Sequence, residues 1–430
     1  MRRSVEEIMN SYCADLPGKW SYRFLRLVAR MIVWRRKPQY IYHFDTEKMQ
    51  GRQVILLSDH SAADSYLYPI DGYPFTPLNF VVGYIHFYKI ALHYGLKKTG
   101  CIPKRLYEND FHSVRQMLSV LKKGGSLCFF PEGIQSNSGS NHPIHPTTAS
   151  FLKQAGITVV LCKGFGTYLT YPLYDLRHRQ GHIEYHFEIL FTPDELEQYT
   201  EDEIYRKLLD RFRYNDFEWN SQKKYKYLSK YSNGTGLQNL LYLCPQCGEK
   251  FTLSFDKEHL ICKHCGNRIF IDSTYELQPV DGSVLPYRNI DEWFKVQRMA
   301  VREEIKHAKV ICDYDCEVWG LYKDRLRFDP YCCYGKGHIT IDDRGILYKG
   351  TYSGETVELF FDIRWVPSFF SHPGQSNELY YRGDFYLFKP IDEAQKVVYY
   401  DLLVEEYHNL IDEKWNRASR DAYDLSVRYI

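Results

Sequence analysis

At 430 residues, with 44% apolar and 25% charged side chains, the chain is long enough for two or three packed domains and too apolar for wholesale disorder. A formal net charge of +1 excludes a global electrostatic pull toward nucleic acid or acidic lipid, so any such attraction has to be local. Twelve cysteines fall far short of a disulfide scaffold, and four of them have metal-site spacing, which points to a reducing, cytoplasmic setting.

The N-terminus lacks a signal peptide's apolar core, and no run of ~20 apolar residues occurs, so the chain is expected not to span a membrane. Residues 1–37 are basic and amphipathic. Trp20 to Arg36 sets large apolar residues and arginines at helical spacing, a pattern that suits a helix packed on the domain with solvated arginines or one lying flat on a bilayer. Residues 38–219 then alternate in the manner of an α/β domain, a mixed sheet flanked by helices. Strands are predicted at Gln39 to Phe44, Gln53 to Leu57, Ser126 to Phe130, Ile157 to Leu161 and His182 to Leu190. Helices are predicted at Phe111 to Lys123, at Thr147 to Gln154, and from the capping box Thr200–Glu203 to about Phe212. The aromatic-rich run Leu78 to Leu96 is expected to form one or two buried or interfacial helices.

Residues 220–239 are rich in Lys, Tyr, Ser and Gly and read as a linker. A compact metal module at 240–273 follows. Residues 274–430 open with a helix at Ile290 to His307, continue as short β-prone runs through about Lys389, and close with a helix at Lys396 to Ile411. This is the pattern of a small antiparallel barrel or sandwich. The metal module carries Cys244-Pro-Gln-Cys247 and Cys262-Lys-His-Cys265 with fourteen residues between them. Two such knuckles place four thiolates around a tetrahedral Zn²⁺, a closed site and therefore a structural one. The module's slight basic excess argues against nucleic acid as its partner.

Three short motifs carry the remaining chemistry. His60 and Asp64 are four apart, the spacing of a base and its orienting carboxylate on one face of a turn. Gly100-Cys-Ile-Pro-Lys104-Arg105 places two cations at the end of an apolar run. Phe130-Pro131-Glu132-Gly133-Ile134-Gln135-Ser136 runs a strand into a Gly/Ser-rich turn that can offer backbone donors to an anion.

In that order and spacing, over roughly residues 20–215, the motifs resemble those of the glycerolipid acyltransferase family typified by bacterial 1-acylglycerol-3-phosphate acyltransferases. The family's motifs are histidine, four residues, aspartate; then Gly-x-Ile-x-x-Arg; then Phe-Pro-Glu-Gly-Thr-Arg-Ser. The second is matched completely and the third at five of seven positions. Two departures stand out. Asp64 comes one position early, leaving Ser65 at the aspartate position, and Gln135 replaces the third motif's arginine.

The resemblance implies that His60 deprotonates the hydroxyl of a lysophosphatidate-like acceptor as it attacks an acyl thioester or acyl phosphate, with Asp64 steadying the imidazolium. It further implies acyl-CoA or acyl carrier protein as donor, and phosphate recognition by Arg105, Lys104, Gly133 and Ser136. Glu132 would order the loop and orient Arg105, and the protein would sit peripherally on the inner face of the membrane. The C-terminal strand succession resembles pleckstrin-homology-like domains, which implies docking of a lipid headgroup or a protein. The shortened first motif and Gln135 favour an alternative, an acyltransferase-fold adaptor with a zinc ribbon that binds lipid, protein or nucleic acid without turnover.

Overall fold

The run Ile55–Leu57 is apolar on both faces, and it folds as a central strand of a sheet covered on both sides. The computed structural model describes residues 4–108 and 110–423; Arg2 and Arg3 of the basic segment, and the chain from 424 onward, lie outside the described residues. The first sheet comprises β1 (Gln39–Tyr42), β2 (Ile55–Ser58), β3 (Leu78–Gly83), β4 (Ile102–Lys104), β5 (Ser126–Phe129), β6 (Val159–Phe165) and β7 (Glu184–Phe191), in the order β1-β7-β6-β2-β5-β3-β4. All neighbours are parallel except β6 and β7. Helices Phe111–Lys122, Thr147–Ala155 and Glu201–Phe212 flank it, and the last opens on the expected Thr200–Glu203 capping box.

Leu78 to Leu96 departs from its expected helices. Its first six residues are β3, hydrogen-bonded to β5 and β4, and only Ile90–Lys98 is α-helical. An apolar run buried on both faces has no strand periodicity to betray it, so sheet pairing rather than local pattern decides its state.

The ribbon strands β8 (Leu253–Phe255), β9 (His259–Cys262), β10 (Arg268–Ile271) and β11 (Leu277–Pro279) form an antiparallel sheet of their own. The long helix Ile290–His307 leads to a third sheet of β12 (Cys312–Leu321), β13 (Tyr331–Asp342), β14 (Gly345–Tyr352), β15 (Glu355–Asp362), β16 (Ser371–His372), β17 (Ser376–Tyr381) and β18 (Asp384–Pro390). Its order is β15-β14-β13-β12-β18-β17-β16, antiparallel throughout. Helix Val397–Ile411 packs on this sheet, and helix Glu413–Tyr423 returns to the α/β part.

One apolar core lies around the first sheet. A second joins Tyr168 and Leu169 to the ribbon and the third sheet. The stretch expected as a linker belongs to that second core, with Tyr227 and Leu237 fully buried and the Asn233 amide donating to the Tyr227 carbonyl at 3.0 Å. Its Ser- and Gly-rich composition serves close backbone packing here. A Cβ on Gly236 would lie 2.3 Å from the Tyr174 carbonyl oxygen, and its φ of +90° suits glycine.

Candidate active site

Register alone brings the first and third motifs together. Leu57 of β2 pairs with Phe129 of β5, and His60 and Glu132 each lie three residues further along parallel strands, so both emerge side by side at the carboxyl edge of the sheet. The His60 N–H donates to Glu132 Oε1 at 3.0 Å, the Ser136 N–H donates to the His60 carbonyl at 2.9 Å, and the imidazole lies 4.8 Å from the Phe130 ring.

The imidazole is oriented by a different neighbour from the one expected. Its Nδ1 lies 3.1 Å from Ser65 Oγ, while Asp64 turns away and pairs with Arg36, with His178 Nε2 at 3.6 Å. The expected His60–Asp64 dyad needs both side chains on one face of a turn, but residues 59–66 form an irregular turn, helical only from Leu67, in which Asp64 points to Arg36. Residue 65 faces the ring, so a hydroxyl sits where the family motif places a carboxylate. His60 Nε2 has no hydrogen bond to another side chain among the described residues, and the residue is partly exposed. Burial lowers the imidazole to about 4, against the opposing Ala62 carbonyl, so the ring is neutral and able to accept a proton near pH 7.

Glu132 braces the loop rather than acting on Arg105. Its second oxygen accepts the His142 N–H at 2.6 Å, and burial pushes the carboxyl up to about 8 against its two N–H donors. His142 in turn contacts the Tyr423 hydroxyl through Nδ1 at 2.9 Å, which links the last described residue to the catalytic edge. Gly133 has φ +79° and open space where a Cβ would be, but its N–H is spent on the Phe130 carbonyl at 3.0 Å. Ser136 Oγ donates to the Ser140 carbonyl at 2.6 Å and accepts the Gly139 N–H at 2.9 Å. Ser138 and Ser140 both donate to Asp291 of the long helix at 2.6 Å. The Gly/Ser-rich turn is therefore locked by its own hydrogen bonds, and neither Gly133 nor Ser136 is a free anion donor in this structure.

Lys104 and Arg105 stand at the same edge but three strands along from β2, a separation of ~14 Å at ordinary strand spacing. Arg105 lies over the Tyr84 ring at 5.9 Å and against Gly383 of the third sheet, whose N–H donates to Glu108 at 2.7 Å. Lys104 Nζ donates to the Glu108 carbonyl at 3.3 Å, and burial lowers its pKa. The structure thus gathers His60, Glu132, Gly133 and Ser136 in one place and leaves Asp64, Lys104 and Arg105 outside it.

Three participants had no local signal: Arg36 follows from how the turn folds, and His142 and Tyr423 from contacts across the chain, whereas Ser65 was marked by its place at the motif's aspartate position. His86 is a fourth, within electrostatic range of His60 and itself lowered by burial to about 4. C-terminal residues roof the edge: Phe370 packs on Ile134 and Leu173, and Trp415 and Glu405 line a small crevice together with Tyr107, Glu132 and His142.

In the ribbon, the four sulfurs of Cys244, Cys247, Cys262 and Cys265 lie within 4.8 Å of one another, with Sγ pairs at 3.7 and 3.8 Å. Thiolates at ~2.3 Å from a tetrahedral Zn²⁺ sit about 3.8 Å apart, the spacing of the two Sγ pairs here, so the set suits the ion. It leaves no open coordination position, and the zinc is structural.

Residues 41–162 match the family model described as acyltransferase, and residues 237–272 match the zinc-ribbon model described as DNA directed RNA polymerase, 7 kDa subunit. No curated relative matches the chain. Among solved structures, the 1-acyl-sn-glycerophosphate (LPA) acyltransferase PlsC from Thermotoga maritima is 14% identical, with 48% of this chain and 80% of that one covered and a TM-score of 0.40. The chain thus carries an acyltransferase-family domain over residues 41–162, followed by a zinc ribbon over residues 237–272.

Proposed function

We propose that the protein is an O-acyltransferase that moves a fatty acyl group from an acyl thioester, on coenzyme A or an acyl carrier protein, to the hydroxyl of a lysophosphatidate-like glycerolipid. The observation that carries this reading is the neutral His60 ring, anchored at Nδ1 by Ser65 with Nε2 unclaimed by any side chain among the described residues, at the strand edge where parallel α/β sheets bind ligands. His60 Nε2 takes the acceptor's hydroxyl proton as the oxygen attacks the thioester carbonyl. The tetrahedral intermediate then collapses with loss of thiolate, and the imidazolium returns the proton to the sulfur. A serine hydroxyl offers less to an imidazolium than a carboxylate does, so the base works without a charged partner.

On the same reading the protein acts at the inner face of a membrane. Helix Lys19–Val33 and its continuation expose Trp20, Phe24, Leu27, Met31 and Trp34 along one stripe at 56–79% exposure, and the helix contains no acidic residue. No helix among the described residues is long and apolar enough to cross a membrane, so attachment would be peripheral.

The second reading, an adaptor that binds without turnover, is favoured by Gln135, by the hydroxyl at position 65 and by Arg105 facing the third sheet. Incubating purified protein with palmitoyl-CoA and a panel of lysolipids, with product detection by mass spectrometry, separates the two. A diacyl product from 1-oleoyl-lysophosphatidate is expected, and vesicle binding without product from any acceptor establishes the adaptor.

A further inference from the structure

One side chain joins the N-terminal helix to the turn that carries the candidate base. After Val33 the chain makes a single 3₁₀ turn, Trp34–Arg36, and reverses at Lys37 in the left-handed region at φ +50°. This delivers the Arg36 guanidinium under the first motif. Its Nη1 bonds Asp64 Oδ2 and the Tyr68 hydroxyl, the latter at 3.0 Å, and its Nη2 lies 3.1 Å from His178 Nε2. Two further arginines of the helix hold the same segment. Arg26 donates to the carbonyls of Ile70 and Asp71 at 3.3 and 3.4 Å, and Arg30 pairs with Asp71 at 3.0 Å.

The residues Arg36 grips bracket Ser65. The Leu67 N–H donates to the Asp64 carbonyl and the Tyr68 N–H to the Ser65 carbonyl, so Asp64, Ser65 and Tyr68 belong to one hydrogen-bonded turn. Asp64 is buried and its Oδ1 has no hydrogen-bond partner among the described residues, so its charge is compensated from the Arg36 side. His178 adds little charge of its own, because burial and the Arg36 guanidinium hold its imidazole below the ordinary value. A guanidinium that holds both ends of the five-residue turn Asp64–Tyr68 through one nitrogen fixes the hydroxyl between them.

We propose that Arg36 is a positioning residue for acyl transfer: by pinning Asp64 and Tyr68 it sets Ser65 Oγ against His60 Nδ1, and so couples the exposed N-terminal helix to the base. The inference rests on the reading of His60 as that base. It gives Asp64 the role of counter-ion to Arg36, not of orienter to His60.

The test uses the full-length protein, palmitoyl-CoA and 1-oleoyl-lysophosphatidate, with thiol release as the rate and thermal melting as the check on folding. Arg36→Ala is expected to lower kcat on the order of tenfold through misplacement of the base, with the KM for palmitoyl-CoA changed less than about twofold. Arg36→Lys, which keeps the charge and loses the fork, should fall between. Because Arg36 acts through Ser65, adding Arg36→Ala to Ser65→Ala should cost nothing further in kcat. Losses that multiply independently, or an unchanged kcat in Arg36→Ala, overturn the proposal. Should Arg36→Ala fail to fold, Arg36→Lys alone and in the Ser65→Ala background decides by the same criterion. His60→Ala is the control for the parent reading: full activity in that variant, or none in the wild type, overturns the base assignment and this proposal with it. Loss in His60→Ala with no effect of Arg36 overturns only the latter.

Discussion

In the ribbon, four cysteines between positions 244 and 265 converge on one point, whereas the contacts around His60 draw on residues from Arg36 to Tyr423. The ribbon's geometry is set by two tight knuckles and one ion. The catalytic edge has no such centre. It is held by the parallel register of β2 and β5 and by a chain of hydrogen bonds running from Tyr423 through His142 and Glu132 to the His60 backbone. The difference teaches where each fails: the ribbon all at once when its ion is lost, the edge link by link.

The largest effect therefore belongs to the metal. Stripping zinc with a chelator is expected to remove on the order of 10 kcal/mol of local folding free energy. Because Leu253, Leu260 and Ile269 share a core with the third sheet, melting should report loss of both parts together. Zinc loss confirmed by elemental analysis with an unchanged melt would show a ribbon that supports itself. On the catalytic edge, Glu132→Ala leaves two buried N–H groups without acceptors and should cost about 3 kcal/mol in denaturant unfolding. A loss under about 0.5 kcal/mol would mean the loop is held by its serines alone. At the far end of the same chain, Tyr423→Phe removes one hydrogen bond with no change of volume and should cost about 1 kcal/mol.

A pH series sharpens the comparison without disturbing the fold. His60 sits at about 4 where an unburied imidazole has 6.5, so it is neutral at every pH above about 4, and kcat/KM should fall only as pH drops through that value. The folded state binds fewer protons than the unfolded chain in this window. The contribution of His60 to stability is accordingly complete above 6.5 and lost on acidification toward 4. Ser65→Asp places a carboxylate against Nδ1, favours the imidazolium, and should raise the acid limb by about one unit. An acid limb already near 6.5 in the wild type would place His60 in water and not in the observed site.

What could be read from the sequence follows the same division. The ribbon is written in four residues at fixed spacing, and the helices Phe111–Lys122, Glu201–Phe212 and Ile290–His307 are written in apolar periodicity and caps, so each is legible locally. The meeting of His60 with Pro131–Gly133 was legible through motif order, because strand-edge loops of adjacent parallel strands converge. The partner of the imidazole was marked by the motif's spacing at position 65 but masked by residue type, since the carboxylate stands one residue early and the irregular turn carries it to Arg36. The fate of Arg105 was not legible, since its neighbour Gly383 lies 278 positions away. Leu78 to Leu96 shows the third kind of failure, in which burial on both faces erases the period that separates strand from helix.

The central claim is that one imidazole at the carboxyl edge of β2 takes the acceptor's proton. Lysophosphatidate-dependent release of thiol from palmitoyl-CoA, compared between wild type and a folded, zinc-replete His60→Ala variant, tests it most directly. The account predicts turnover in the wild type and a loss of at least about a thousandfold in the variant. Equal rates in the two proteins would contradict it.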